Sequence, residues 1–358
     1  MRKLRIAIIG QGRSGRNIHG QFFKSEANDF CDVVYVVEAD ERRRTRAAEE
    51  YGCETFADYT ELFGKTDIDV VVNASFSQDH YPITKDLLAH GFNVLSEKPF
   101  GRTYYECMDL INTAKKNNVI VAAFQQTLIT PAFLNVKKII ESGKLGKIHQ
   151  IKIKYSGFAR RWDWQTLQSK CAGGIYNTGP HPIGQALSLI DWDETARVAY
   201  SSLDRVLTSG DSDDFAKIII AANNKPIIDI EVISADAFSK DYVFKIYGSK
   251  GTLLSSNSSY QMKYIEDFSA YPERPVVSGF LANENGEPCY CTEKLNFTEE
   301  SEKIEGSSFD VAVRDFYKML AETILEGKPL TVTPEMAAQT IRIIEACHAE
   351  NPLPLLFD

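Results

Sequence analysis

No uninterrupted apolar run in these 358 residues approaches the roughly 18 that a membrane-spanning helix needs, so no membrane partner is expected. Basic charge is also short. Lys and Arg number 40 against 49 Asp and Glu, and the net charge of −9 argues against nucleic acid or an anionic membrane surface. Cysteine is sparse: seven residues, an odd number without framework spacing, fit free thiols in a reducing, cytoplasmic compartment rather than a disulfide scaffold. Cys289 and Cys291 form a lone C-x-C with no further Cys or His pair at ligand spacing, so no metal is expected. Internal repeats and low-complexity tracts are missing as well. The basic N-terminus leads into an apolar run too short for a secretory signal, and that run ends in a glycine loop instead of a cleavage site.

What is present suits a soluble globular chain, 44% hydrophobic and 25% charged, long enough for two domains. Leu4 to Ile9 is a continuous apolar run, as in a strand buried on both faces. Gly10-Gln11-Gly12-Arg13-Ser14-Gly15 follows, then a helical stretch to about Ser25 and a second buried strand, Val33 to Val37, ending at Glu38. A G-x-G-x-x-G that follows a strand, opens a helix and meets an acidic residue at the next strand's end predicts a dinucleotide site. Gly10 permits the tight turn, Gly12 lets backbone approach a pyrophosphate, and Gly15 lets helix and strand pack closely. Free N–H groups and the positive dipole end of the helix would meet the phosphates. Glu38 would accept from the ribose hydroxyls and repel a 2′-phosphate, favouring NAD; Arg42, Arg43 and Arg44 keep NADP possible.

The alternation continues through strands at Val70–Ala74, Val94–Leu95 and Val119–Phe124, with helices to about His90 and from Thr103 to Asn117. Strands alternating with such helices predict a doubly wound parallel sheet, a Rossmann domain over residues 1–124. Loops at Ser75, Lys98 and Gln125 should line one crevice with the glycine loop. Pro99 bars Lys98 from helix and fixes it at a strand's carboxyl end, where such sheets bind ligands.

Residues 125–358 read differently. A helix from Ala132 to Ser142 precedes strands with apolar–charged alternation, Ile151 to Tyr155 and Ile228 to Val232, the mark of antiparallel strands with one wet face. Asn223-Asn224 and Gly248-Ser249-Lys250-Gly251 suit hairpin turns. The polar stretch from Ala270 to Glu305 reads as loops with an edge strand, and two helices close the chain, one halted by Gly327, the other started by Thr333 and Pro334. The expected fold class is α/β: the Rossmann sheet plus an α+β domain with a large open, mostly antiparallel sheet.

A second constellation lies in Arg160-Arg161-Trp162-Asp163-Trp164-Gln165 and in Gly173-Gly174 followed by Asn177 and His181. Asn177 and His181, four apart, would share one face of a helix that Pro180 and Pro182 make irregular. Arginines beside aromatics suit polyhydroxylated or acidic small molecules.

Taken together, the glycine loop, Glu38, Glu97-Lys98-Pro99, Gly173-Gly174 with His181, Gly143-Lys-Leu-Gly146 and Tyr247-Gly-Ser-Lys-Gly251 resemble the glucose–fructose oxidoreductase / inositol dehydrogenase / MocA (Gfo/Idh/MocA) family nearly end to end. The resemblance implies NAD(P)-dependent oxidation or reduction of a sugar, inositol or related polyol, and a homodimer or homotetramer through the C-terminal sheet. It implies a catalytic set of Lys98, His181 and Asn177, the last standing where the family has an aspartate; an amide cannot take a proton. Gly184 replaces a further acidic residue, and Gln126-Thr127-Leu128 replaces Asn-Arg-Arg. His181 is then expected as acid/base near its ordinary pKa of about 6.5, with Lys98 stabilising the alkoxide. Ser75, His80 and Glu97 join Gly10, Gln11, Gly12, Arg13, Ser14, Gly15, Glu38 and Lys98 around the cofactor. Gln126, Arg161, Asp163 and Trp164 join Asn177 and His181 around the substrate. Two alternatives remain open: a glycosidase using NAD for transient oxidation, and a cofactor-binding sensor without catalysis.

Overall fold

The computed structural model describes residues 2–239, 241–271, 285–287, 293–306 and 309–352; the Cys289-x-Cys291 pair lies outside them. Six strands form the first sheet: β1 (Leu4–Ile9), β2 (Cys31–Val37), β3 (Glu54–Phe56), β4 (Val70–Asn73), β5 (Val94–Ser96) and β6 (Val121–Ala123). Their spatial order is β3-β2-β1-β4-β5-β6, and every pairing is parallel. Ile6, Ile8, Val70, Val71, Val94 and Leu95 are fully buried, as a sheet covered on both faces requires.

Caps set the helix bounds. Asp40 starts Glu41–Tyr51 and Thr103 starts Tyr104–Asn117, each side chain accepting a backbone N–H of the first turn. At the carboxyl edge the backbone is stitched across the sheet. Gly10 N–H donates to Val37 O (2.8 Å), Ala74 to Ile9 (2.9 Å), Glu97 to Asn73 (3.0 Å) and Phe124 to Ser96 (2.9 Å). The loops carrying Gly10, Glu38, Ser75, Lys98 and Gln126 therefore leave the sheet side by side.

Among the described residues the second sheet has eight strands: β7 (Ile148–Ser156), β8 (Arg197–Asp204), β9 (Phe215–Ala221), β10 (Ile227–Ile233), β11 (Phe244–Gly248), β12 (Gly251–Ser255), β13 (Ser259–Tyr264) and β14 (Thr298–Lys303). They run in the order β14-β13-β12-β11-β7-β10-β9-β8, with β14 as the expected edge strand. The sheet is mostly antiparallel, as expected, with one parallel pairing, β7 beside β10. The chain leaves β7 through two helices and the β8–β9 hairpin before β10 returns, so it re-enters in the same direction; alternation along a strand reports its faces, not its neighbours. Ile151, Ile153, Ile218, Ile228 and Ile230 turn inward. The other face carries a charged row in which Lys217 pairs with Asp229 and Glu231, and Lys152 with Asp229.

The last two helices, Phe309–Glu326 and Pro334–Glu350, come back to the first half. Tyr317 reaches His19 (2.7 Å), and Glu345 accepts the Tyr104 N–H (2.9 Å) at the start of the helix on which Pro334–Glu350 packs. Among the described residues no helix is long and apolar enough to cross a membrane.

Candidate active site

Between the two halves runs a cleft of about 1080 Å³. Its floor at the first sheet is the glycine loop. Gly10 sits at φ +90°, and a Cβ there would lie 2.5 Å from Ala74 O. A Cβ on Gly15 would lie 1.9 Å from Gly10 O, so the loop closes on the following helix only without one. Gly12 is the opposite case: it lines the cleft, and an added Cβ would meet nothing within 4 Å. The two tight glycines shape the turn, and the open one leaves backbone free for a phosphate to approach. The helix that follows opens with a π-helical turn, Gly15–His19.

Glu38 follows β2 at the cleft, its carboxylate accepting the Gln11 N–H (2.8 Å) and the Asp40 N–H (3.0 Å). Arg43 stands 3.7 Å from the same carboxylate. An acid and a cation thus share one corner of the cleft. Arg13, Ser14 and Ser75 also line the cleft, whereas Gln11 and Gly15 lie behind its surface. His80 does not reach the cleft either: it is buried, its Nδ1 2.8 Å from Pro99 O and its Nε2 3.3 Å from Ser75 O. Burial holds its pKa down, so the neutral ring has one N–H, which the shorter contact assigns to Nδ1. His80 thereby ties the helix that follows β4 to the Pro99 loop. Gln125 also turns away, its Nε2 donating to Thr340 Oγ1, and Gln126 takes the place at the cleft wall.

Lys98 and His181 arrive from opposite sides. Lys98 follows β5, its peptide to Pro99 is cis, and its Nζ donates to the Asn177 carbonyl at 2.7 Å. Burial lowers the pKa of this ammonium; Glu97 opposes the shift, and Arg13 and Arg161 add to it. Glu97 points inward and anchors the segment. One carboxylate oxygen accepts the Lys98 N–H (2.9 Å), the other meets His19 Nε2 (3.2 Å), and His19 Nδ1 meets Tyr317 OH (2.7 Å). Burial alone would raise the Glu97 carboxyl, but the His19 contact and the charge of Lys98 prevail and hold it at about 2. A buried carboxylate so bonded is a fixed negative charge behind Lys98.

Asn177 and His181 do not share one helix. Asn177 closes the short helix Gly174–Asn177, and His181 sits in the first turn of Pro180–Leu189, yet both line the cleft. Asn177 Nδ2 donates to Gln165 O (2.8 Å). His181 Nδ1 lies 3.1 Å from Thr127 Oγ1, and its ring stacks beside Tyr155. The imidazole is not poised near neutrality as its residue type suggested. Burial first, and then the Lys98 cation, push it down to about 3.

Arg161 grips Asp163 with both Nε (2.9 Å) and Nη2 (2.8 Å), and Trp164 meets Phe76 edge-on at 5.0 Å, closing the cleft between the halves. Sequence reasoning passed over four contributors: His19, Phe76, Thr127 and Tyr317. Only Phe76 and Thr127 carried a signal, since each stands just beyond a strand's carboxyl end.

A parallel doubly wound sheet with a glycine-loop cleft, faced by a second half whose helix Pro180–Leu189 brings a histidine to that cleft, defines a two-part dinucleotide-dependent oxidoreductase. Residues 4–125 match the family model described as oxidoreductase family, NAD-binding Rossmann fold, and residues 133–254 match the GFO/IDH/MocA C-terminal domain. The chain belongs to the GFO/IDH/MocA family of NAD(P)-dependent oxidoreductases. It is 27% identical over 264 residues to an uncharacterised oxidoreductase of Schizosaccharomyces pombe, covering 71% of this chain and 70% of the relative. It is 24% identical over 350 residues to scyllo-inositol 2-dehydrogenase (NADP(+)) of Bacillus subtilis, covering 96% and 92%. The WlbA dehydrogenase of Bordetella pertussis, solved with NADH and UDP-GlcNAcA, superposes with a TM-score of 0.74 at 15% identity, covering 100% of this chain and 99% of that one.

Proposed function

We propose that the protein oxidises or reduces a hydroxyl-bearing carbon of a sugar, inositol or related polyol, with Lys98 and His181 acting together at that carbon. The observation that carries this reading is their convergence: both side chains line the one cleft that also holds the glycine loop, and Lys98 Nζ bonds the backbone of Asn177 across it. In this reading residues 1–124 hold the cofactor and 125–358 the substrate. Gly10 to Gly15, Glu38, Ser75 and Lys98 would hold NAD, which supplies hydride acceptance when bound. Arg43 leaves NADP open, in keeping with the Bacillus subtilis relative.

The chain's own residues divide the proton work. If His181 Nδ1–H donates to Thr127 Oγ1, Nε2 is left as an acceptor aimed at a substrate hydroxyl. A ring held at about 3 orients that hydroxyl but retains a proton poorly. Lys98, drawn down from the usual ammonium range, is the better proton carrier: as free amine it takes the hydroxyl proton, and as ammonium it returns it to a carbonyl. This reverses the roles that residue types alone suggested. Asn177, Gln126, Arg161, Asp163 and Trp164 would grip the remaining hydroxyls. The charged outer face of the second sheet suits pairing of subunits, which light scattering on the purified protein measures. The five cysteines among the described residues are all free, in keeping with a reducing, cytoplasmic setting.

The test mixes the protein with NAD or NADP and a panel of inositols and sugars and follows nicotinamide absorbance. Turnover is expected with at least one member, and it should fall at least a hundredfold in Lys98→Ala. No turnover in either direction would remove the dehydrogenase reading. A chromogenic glycoside cleaved only when NAD is present would put the glycosidase in its place.

A further inference from the structure

In the second half, the segment entering β9 carries Asp213, a buried acid with no part in the chemistry above; it is 2% exposed and does not line the cleft. Side chain and backbone both close on the start of the short helix Gly174–Asn177. Oδ2 accepts the Ile175 N–H (2.8 Å), and the Asp213 carbonyl accepts the Gly174 N–H (2.7 Å). Two glycines make room for this carboxyl. A Cβ on Gly173 would lie 2.2 Å from Oδ1, and one on Gly174 would lie 3.0 Å from Oδ2.

The far end of the same turn faces the cleft. Asn177 O accepts from Lys98 Nζ (2.7 Å), and Tyr176 OH donates to Arg102 O (2.8 Å). Four residues thus join Asp213 on one side to the Lys98 and Arg102 segments on the other. Inside the turn, Asn177 N–H donates to Gly173 O (2.8 Å) and Thr178 N–H to Gly174 O (2.9 Å), so a tilt at Ile175 is passed to the Asn177 carbonyl. A carbonyl that accepts from an ammonium favours its charged form. The placement of Asn177 O therefore sets both the aim and the basicity of Lys98.

Asp213 is poorly explained by stability alone. Burial raises its carboxyl to about 7, with the Ile175 N–H opposing and the Asp214 charge adding. Oδ1 is buried without a hydrogen-bond partner among the described residues, an arrangement that destabilises a fold. Asp214 beside it is fully used, accepting the N–H groups of Val206, Leu207 and Thr208. Local departures of the Asp213 kind concentrate where a functional group is being held.

We propose that Asp213 is a positioning residue for Lys98, fixing the Gly174–Asn177 turn so that the Asn177 carbonyl holds the lysine nitrogen toward the reacting carbon. The inference rests on the role given to Lys98 above and adds the residue that sets its acceptor.

The experiment reads Lys98 without substrate. Full-length protein is trace-labelled with acetic anhydride over roughly pH 6 to 11, and the Lys98 peptide is followed by mass spectrometry with exposed Lys3 as reference. Asp213→Asn keeps the shape and one acceptor, and Asp213→Ala removes both. Gly174→Ala keeps the carboxylate and presses it away from Ile175. The Lys98 midpoint should fall by about half a pH unit in Asp213→Asn and by about one in Asp213→Ala and Gly174→Ala, with Lys3 unmoved. If Asp213→Ala does not fold, the other two variants decide. An unmoved Lys98 midpoint in the folded variants overturns the proposal. So does an equal fall in both Asp213 variants with none in Gly174→Ala, which would mean that the carboxylate acts through its field alone.

Turnover on the sugar and inositol panel separates this claim from the dehydrogenase reading. With a working substrate, kcat should fall about tenfold in Asp213→Ala while KM stays within about threefold. No turnover in the wild type with the Lys98 shifts intact sinks the dehydrogenase and leaves the positioning role standing; turnover without the shifts does the reverse.

Discussion

Glu97→Gln removes one charge and almost no volume, and its consequences run in two directions. Held at about 2 against an ordinary 4.5, the buried carboxylate contributes on the order of 3 kcal/mol to the folded state at pH 7, at 1.36 kcal/mol per pH unit. Because the folded pKa is the depressed one, this contribution is complete above about pH 4.5 and is lost as pH falls toward about 2. The variant should therefore be about 3 kcal/mol less stable than wild type in urea at pH 7 and only about 1 kcal/mol less stable at pH 3. His19 can adapt by exchanging its ring proton between Nε2 and Nδ1, which keeps the fold within reach. The second consequence is catalytic. Glu97 supports the Lys98 ammonium against burial, and a charge pair at an effective dielectric near 20 is worth roughly 1–3 kcal/mol over such separations. Losing it should drop the Lys98 pKa further, moving the acid limb of the oxidation profile down by about one to two pH units. The alkaline limb of the reduction profile should move the same way. A stability gap that does not narrow with acid, or a limb that stays in place or moves up, would refute the electrostatic account.

Three further substitutions probe separate parts of the site. Gly12→Ala should leave the urea midpoint within error yet weaken NADH binding at least tenfold by fluorescence titration, whereas Gly15→Ala, with its Cβ 1.9 Å from Gly10 O, should cost several kcal/mol of stability as well. Thr127→Val frees His181 Nδ1 to take either tautomer and should lower kcat about tenfold with little change in KM; an unchanged kcat would show that the hydroxyl does not set the tautomer. Phe76→Ala deletes the edge contact with Trp164, worth about 1 kcal/mol, and should raise KM several-fold while sparing kcat in the same assay.

The parallel sheet was legible because its strands are unbroken apolar runs punctuated by glycine, proline and acidic residues, and those punctuation marks are where the cleft residues stand. Gly10, Glu38 and Lys98 could be picked out for that reason. The edge strand Glu54–Phe56 has no apolar run and left no trace, since one neighbour suffices to hold it. The parallel pairing of β7 with β10 was hidden because a strand's alternation is the same whichever way its neighbour runs. His80 misled by position: it follows β4 at the right distance for a ligand contact, but its ring is turned into the protein, where Nδ1–H bonds the Pro99 carbonyl. The depressed pKa of His181 is a sum over Lys98, Glu97 and the surrounding burial, none of which adjoins it in the chain. The His19–Tyr317 contact spans 298 residues and left no local mark.

That last contact has a consequence for how the chain is made. During synthesis all six parallel strands emerge early, and N-terminal units begin folding as they appear. The surface over His19 stays uncovered until the helix bearing Tyr317 has cleared the ribosome, so the footing of Lys98 is among the last parts to set. A nascent or prematurely stopped chain would carry a recognisable nucleotide fold with a wet, ill-held lysine, and only finished polypeptides would present a working amine to substrate.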